Sequence, residues 1–346
     1  MQEPKSISLK NRINYIDIAR GISIILMILG HVIGPGWKRN IIFSFHMPLF
    51  VIVSGYFFKE TENTKIFIKK NILKLVIPYL LIIFVTNISI MILQKTSFIS
   101  MLIDTLKTII FSYSYKGEFL KNINVTPIGV LWFMPTLLCS KIIFHILFKI
   151  KKLHKNILLL GITSFFISAT GYYLGIKKIW LPFSFDISLI FIIFMYVGYI
   201  LNKYNLLNKI FNNNAMAVLI VIIWLIGVNL GNIELAVRHY PLGILSFITA
   251  ILGTISIFKL SELIDKYLKR INTILAWYGK NSMYILCFHH FECCIIPYNK
   301  LIKILNPSFA KLLKTSLKLI IVSLFTIIYN KLLILTRLKK KHISNI

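Results

Sequence analysis

Ten apolar runs, each close to the roughly 20 helical residues needed to cross a bilayer, occupy most of the 346-residue chain. They cover 16–34, 41–58, 72–93, 128–148, 156–176, 185–201, 215–230, 240–260, 281–298 and 316–336. A soluble domain carries about a quarter of its residues as charges, whereas this chain is 57% hydrophobic and only 15% charged. That much apolar surface has too few polar groups to cover it, so the surplus must face lipid. Backbone polar groups within a bilayer must be satisfied internally. The runs carry helix-length spacing, so the expected fold is all-α: a polytopic integral membrane bundle of about ten transmembrane helices. No composition break marks a second unit. A single membrane-embedded domain is expected over 1–346, with its core at 14–336 and no separate soluble domain.

Net charge is +29, from 40 Lys+Arg against 11 Asp+Glu. The basic residues fall in short blocks between the apolar runs, the placement required for loops beside lipid headgroups and not for a nucleic-acid face. With the N-terminus inside, the inner segments hold 23 Lys and Arg and the outer ones 13. Both termini are therefore expected in the cytosol, and the chain in a cell membrane, with a bacterial cytoplasmic membrane the best fit. Cys139, Cys287, Cys293 and Cys294 all lie within apolar runs without Cys-x-x-Cys spacing. Neither a disulfide framework nor a metal site is expected from them. Between the third and fourth runs, Phe98, Ile99, Leu102, Ile103, Leu106, Ile109 and Ile110 recur at helical spacing opposite Asp104 and Lys107. This reads as an interfacial amphipathic helix, followed by a polar loop able to lie over a site.

Polar residues inside a membrane span are costly and mark function. The first run holds Asp17, Arg20 and His31. Eleven residues at 100° each bring Arg20 and His31 back to one helix face, about 16 Å apart along the axis. Asp17 stands three residues before Arg20, within pairing distance. The plainer account is a snorkelling arginine and a packed histidine. The second run holds His46 and Ser54, with Pro48 bending the helix between them. In the ninth run Gly279, Asn281 and Ser282 form a plausible helix start, with His289 near mid-membrane and His290 pointing about 100° away. Two adjacent histidines so placed should not face one ligand. Trp132 opens the fourth run, Asp186 heads the sixth, and Glu234, Arg238 and His239 share a short outer loop. A cap for Asp186 and a belt position for Trp132 are the ordinary alternatives. An imidazole can take a hydroxyl proton near neutral pH and an arginine can hold phosphate. On residues alone the reading stops at a histidine-lined polar cavity.

Five segments sharpen it: DIARGISIILMILGH at 17–31, FHMPLFVIVSGYFF at 45–58, LWFMPTLL at 131–138, LPFSFDISLIFIIFMYVGYIL at 181–201 and GKNSMYILCFHH at 279–290. In these the chain resembles the acyltransferase-3 family of membrane-bound O-acyltransferases, particularly its fucose 4-O-acetylase-like and polysaccharide O-acetyltransferase branch. The resemblance implies acyl transfer from acetyl-CoA, a co-substrate and not a tightly bound cofactor, to a sugar hydroxyl. It implies that His31 is the catalytic histidine and Arg20 the arginine tied to donor use; Asp17, paired with Arg20, is expected in the catalytic set, and Asn281 and Ser282 beside Arg20 in donor contacts. Acceptor contacts are expected from His46, Ser54, Trp132, Asp186, Glu234, Arg238 and His289, with no metal. Glu234 stands where relatives often carry an aspartate. The implied partners are acetyl-CoA, a glycan or lipid-linked sugar, and the bilayer. A transporter, or a non-catalytic binding or sensor relative of the same fold, is the competing reading; buried charges would then line a transport path.

Overall fold

The computed structural model describes residues 13–60, 63–115, 125–298 and 306–343. Its regular elements are helices, and no named strand occurs among the described residues. In chain order they are α1 (Asn14–Gly30), α2 (Trp37–Tyr56), α3 (Thr64–Asn71), α4 (Ile77–Gln94), α5 (Phe98–Phe111), α6 (Phe133–Lys149), α7 (Lys151–Lys155) and α8 (Ile157–Ile176). There follow α9 (Phe185–Lys203), α10 (Leu206–Phe211), α11 (Asn214–Leu230), α12 (Leu245–Tyr267), α13 (Lys269–Lys280), α14 (Ser282–Ile295) and α15 (Pro307–Ile343).

Among the described residues, six helical stretches are long and apolar enough to cross a membrane: Thr64–Gln94, Gly129–Lys149, Ile157–Ile176, Pro182–Lys203, Leu245–Tyr267 and Phe309–Thr336. The chain is a polytopic helical membrane protein. The remaining four apolar runs are also helical, as α1, α2, α11 and α14, but are shorter or more polar. For α1, α2 and α14 the reason lies in their position. A helix enclosed by other helices need not be apolar enough for lipid, and polar residues are tolerated there. Burial separates the layers. The apolar stretches within 129–149, 182–203 and 245–267 are half or more buried, whereas those within 64–94, 157–176 and 309–336 are mostly exposed. Among the inner helices α12 packs against α1 and α2, α9 against α2, and α6 against α9, while α4, α8 and α15 are the more exposed.

Two further features position side chains. Residues Ile72–Val76 form a π-helical turn between α3 and α4, which breaks the i→i−4 register, and Lys70 just before it and Lys74 within it line one cavity. The crossing of α1 and α13 depends on Gly21 and Gly279. A Cβ on Gly279 would fall 1.7 Å from the Asp17 carbonyl oxygen, and one on Gly21 would fall 1.9 Å from that of Leu275. The backbones touch there, and the contact fixes the Arg20 end of α1 against the start of α14. The amphipathic segment is observed as α5, with Phe98, Ile99, Leu102, Ile103, Leu106 and Ile110 exposed and Met101, Thr105 and Thr108 turned inward.

Candidate active site: two cavities along one helix

At the C-terminal end of α1, His31 caps the helix in αR geometry and enters a cavity of about 410 Å³. His46, Trp132, Glu234 and His289 line the same space, together with Arg39 and Phe43. His31 and His289 face one another with ring centroids 5.8 Å apart and planes inclined by 31°. Phe43 stands edge-on to both His31, at 5.9 Å, and His46, at 4.8 Å. His46 Nδ1 donates to the Ile42 carbonyl oxygen at 2.9 Å, which leaves Nε2 unprotonated in the neutral ring. His290 lines this cavity as well. The 100° separation does not divide the pair as expected, because the cavity wraps around more of α14 than a single bound group would.

The loop between α11 and α12 closes one side. Glu234 and His239 exchange backbone hydrogen bonds at 3.0 and 3.1 Å, and Arg39 grips the Glu234 carboxylate through two bonds of 2.8 and 3.1 Å. The Arg39 guanidinium also lies 3.8 Å from the Phe43 ring centroid. Ser114 and Tyr115 contribute from the loop after α5; residues 116–124 of that loop lie outside the described residues.

Asp186 and Arg238 are spent on each other. Arg238 donates Nε to Asp186 Oδ2 at 2.9 Å and NH2 to Oδ1 at 3.1 Å, with the side chains 1% and 0% exposed. Trp180 stacks on the guanidinium at 4.0 Å. Neither residue lines the cavity. They hold the loop that presents Glu234.

At the other end of α1, Arg20 lies on a second cavity of about 500 Å³. Lys70, Lys74, Lys141 and Lys280 line it too, and no carboxylate does so among the described residues. Arg20 NH2 donates to Ser282 Oγ at 2.9 Å, and its NH1 lies 3.4 Å from Asp17 Oδ1. Ser54 and Ser282 share this cavity; the Ser54 hydroxyl also donates to the Phe50 carbonyl within α2. Asn281 precedes α14 as expected, but its amide donates to the Trp277 carbonyl and accepts from Asn330. It does not line the cavity.

Three residues, Met27, Met47 and Leu286, line both cavities. The two spaces therefore meet at a partition of flexible apolar side chains. Arg20 and His31, one on each side, share a face of α1 about 16 Å apart along its axis. Imidazoles lining one cavity, and a second cavity whose charged lining residues are all cations, suit a reaction between a hydroxyl and an anionic activated donor.

Sequence reasoning did not single out Arg39, Lys141, Glu292 or Lys318. The signal for the last two was present: a carboxylate three residues after His289, and a lysine inside the tenth apolar run. No curated protein and no solved structure matches this chain. A family model described as an acyltransferase domain, that of acyltransferase-3, matches residues 13–333. With that match over the two-cavity bundle, the chain belongs to the acyltransferase-3 family and is a membrane enzyme that transfers acyl groups.

Proposed function

We propose that the enzyme transfers an acetyl group from acetyl-CoA to a hydroxyl of a cell-surface or exported polysaccharide, or of its lipid-linked sugar precursor, as in the fucose 4-O-acetylase-like branch. Its place is a bacterial cytoplasmic membrane. The observation that carries this reading is the meeting of the cationic and histidine cavities at Met27, Met47 and Leu286. Coenzyme A is polyanionic at one end and reactive at the sulfur of an extended arm. Phosphates held near Arg20, Lys70 and Lys74 leave that arm to run along α1 toward His31. The inward excess of basic residues favours an orientation with the Arg20 end in the cytosol, where acetyl-CoA is made, and the histidine cavity toward the outer face.

In the transfer, the acceptor oxygen attacks the thioester carbonyl and its proton passes to the His31 imidazole. The C–O bond forms, the C–S bond breaks, and the imidazolium returns the proton to the departing thiolate. His46 or His289 offers the polar contact that stabilises the oxyanion or orients His31. Trp132 and the Arg39–Glu234 pair supply an apolar face and a polar rim for a sugar ring.

Purified protein in proteoliposomes, given radiolabelled acetyl-CoA and a lipid-linked glycan, tests this directly. Labelled acetyl ester on the glycan, lost in His31→Ala, is the expected result. Uptake of solute without any acetyl transfer would replace this reading with a transporter.

A further inference from the structure

His289, Glu292 and Cys293 lie on one face of α14 at i, i+3 and i+4, with one donor atom from each within 4.8 Å of the others. Such a triangle is a possible cation site. A cation is already there: Lys318, reaching in from α15, donates its ammonium to Glu292 Oε1 at 2.8 Å and to Cys293 Sγ at 3.0 Å. Tyr298 covers that ammonium with its ring at 4.3 Å. Glu292 and Lys318 are 0% and 4% exposed at their side chains. Removing two such charges from water is costly, and nothing in packing α14 against α15 requires them.

We infer that Glu292 and Lys318 are positioning residues for His289, and that through His289 they set the proton-handling geometry facing His31. The inference rests on the acyl-transfer reading for its chemistry but not for its geometry. Glu292 Oε1 lies 2.7 Å from His289 Nδ1. A carboxylate can only accept, so Nδ1 carries the proton and Nε2 keeps its lone pair. A carboxylate behind one ring nitrogen fixes tautomer and ring plane together. His31 has no carboxylate or carbonyl partner among the described residues, so the oriented member of the facing pair is His289. When His31 takes the hydroxyl proton, its positive charge faces the His289 ring, which the Glu292 carboxylate backs from the other side. Lys318 keeps the Glu292 carboxylate placed when the rings are neutral. The proton then leaves with the thiolate.

The test compares wild type with the charge-balanced double variant Glu292→Leu/Lys318→Met, which removes both charges together. Two readouts are needed: kcat and KM for acetyl-CoA, and the ring-nitrogen shifts of 15N-histidine-labelled protein, with His289 assigned from His289→Gln. The expected result is a folded double variant with kcat lowered about 10- to 100-fold, an unchanged KM, and loss of the single Nδ1–H tautomer at His289. Should the double variant fail to fold, the near-isosteric Glu292→Gln takes its place, with the same fall in kcat expected and Glu292→Asp restoring part of it. A folded variant with wild-type kcat and an unchanged His289 tautomer overturns the inference. So does a stoichiometric metal ion in purified wild type that is lost in Cys293→Ser. If wild type itself transfers no acetyl group, the nitrogen shifts still decide the geometry, and only the acyl-transfer reading fails.

Discussion

The rings of His31 and His289 lie 5.8 Å apart across the histidine cavity, although one closes α1 and the other lies on α14, more than 250 residues later. If the two facing imidazoles serve one proton transfer, neither can replace the other. Each single replacement, His31→Ala or His289→Ala, is therefore expected to lower kcat by about 10²- to 10⁴-fold. The double replacement should cost little more than the worse single one, because groups that act as a unit are not additive. Acetyl transfer by purified protein measures all three. Losses that multiply would mean that the two rings serve separate steps.

The shared wall makes a second prediction. Met27 lines both cavities and is 2% exposed. A bulkier, stiffer side chain there closes the passage without touching either pocket's charges. Met27→Trp should abolish acetyl transfer while leaving acetyl-CoA binding, measured by isothermal titration, within about threefold of wild type, since a threefold change is only about 0.7 kcal/mol. Weakened binding with transfer retained would show that the arm of the donor does not pass Met27.

Local spacing made much of this architecture legible. The Arg20–His31 stripe needs only the pitch of one helix, and the structure puts its two ends in two different cavities. The apolar face of α5 was equally plain. Pairings between distant segments were not. Asp186, Glu234 and Arg238 read as three similar outer charges and Arg39 was not singled out, yet Asp186 and Arg238 neutralise each other out of the cavity while Arg39 and Glu234 form its rim. No rule of spacing couples a residue of α9 to one in the loop after α11. Lys318 was hidden for a related reason. A lysine in an apolar run reads as a snorkelling side chain until the helix beside it supplies a buried carboxylate. Asn281 shows the opposite case, a helix-start residue whose side chain packing has turned to Trp277 and Asn330.

On the face of the bundle near the basic cavity, Glu60 follows α2 and ties three elements together. Tyr199 donates to its carboxylate, His154 Nε2 lies 3.1 Å from it and Lys203 3.8 Å. The Tyr199 hydroxyl in particular, aided by His154 and Lys203, holds the Glu60 carboxyl below its ordinary value of 4.5. A lowered carboxyl binds fewer protons folded than unfolded, so its stabilisation is complete above about pH 4.5 and is lost as the pH falls through the folded value. Glu60 is a third exposed, so the contribution at neutral pH is below about 1 kcal/mol. Glu60→Gln should lower the melting temperature slightly at pH 7 and flatten its decline below pH 4.5. An identical acid decline in the variant would place the pH-sensitive group elsewhere.

The Asp186–Arg238 pair carries the sharpest stability prediction. Both side chains are essentially sealed, at 0% and 1% exposure, and Asp186 also accepts the Leu181 amide at 3.2 Å. Arg238 adopts φ 57°, a left-handed conformation held in part by the bond to Asp186 and the Trp180 stack. Removing one partner leaves the other charged, dry and unpaired, which costs about 3–5 kcal/mol. Asp186→Ala should therefore lower the melting temperature strongly and also displace the Glu234 loop, raising the acceptor KM. Asp186→Ala with Arg238→Met removes both charges and should recover much of the stability, because no orphan charge remains. It should not recover the acceptor KM, because nothing then pins residues 234–239 against α9. Thermal melts and acceptor titrations on the three proteins separate these effects. If stability and acceptor KM recover together, the pair only balances charge and does not hold the loop.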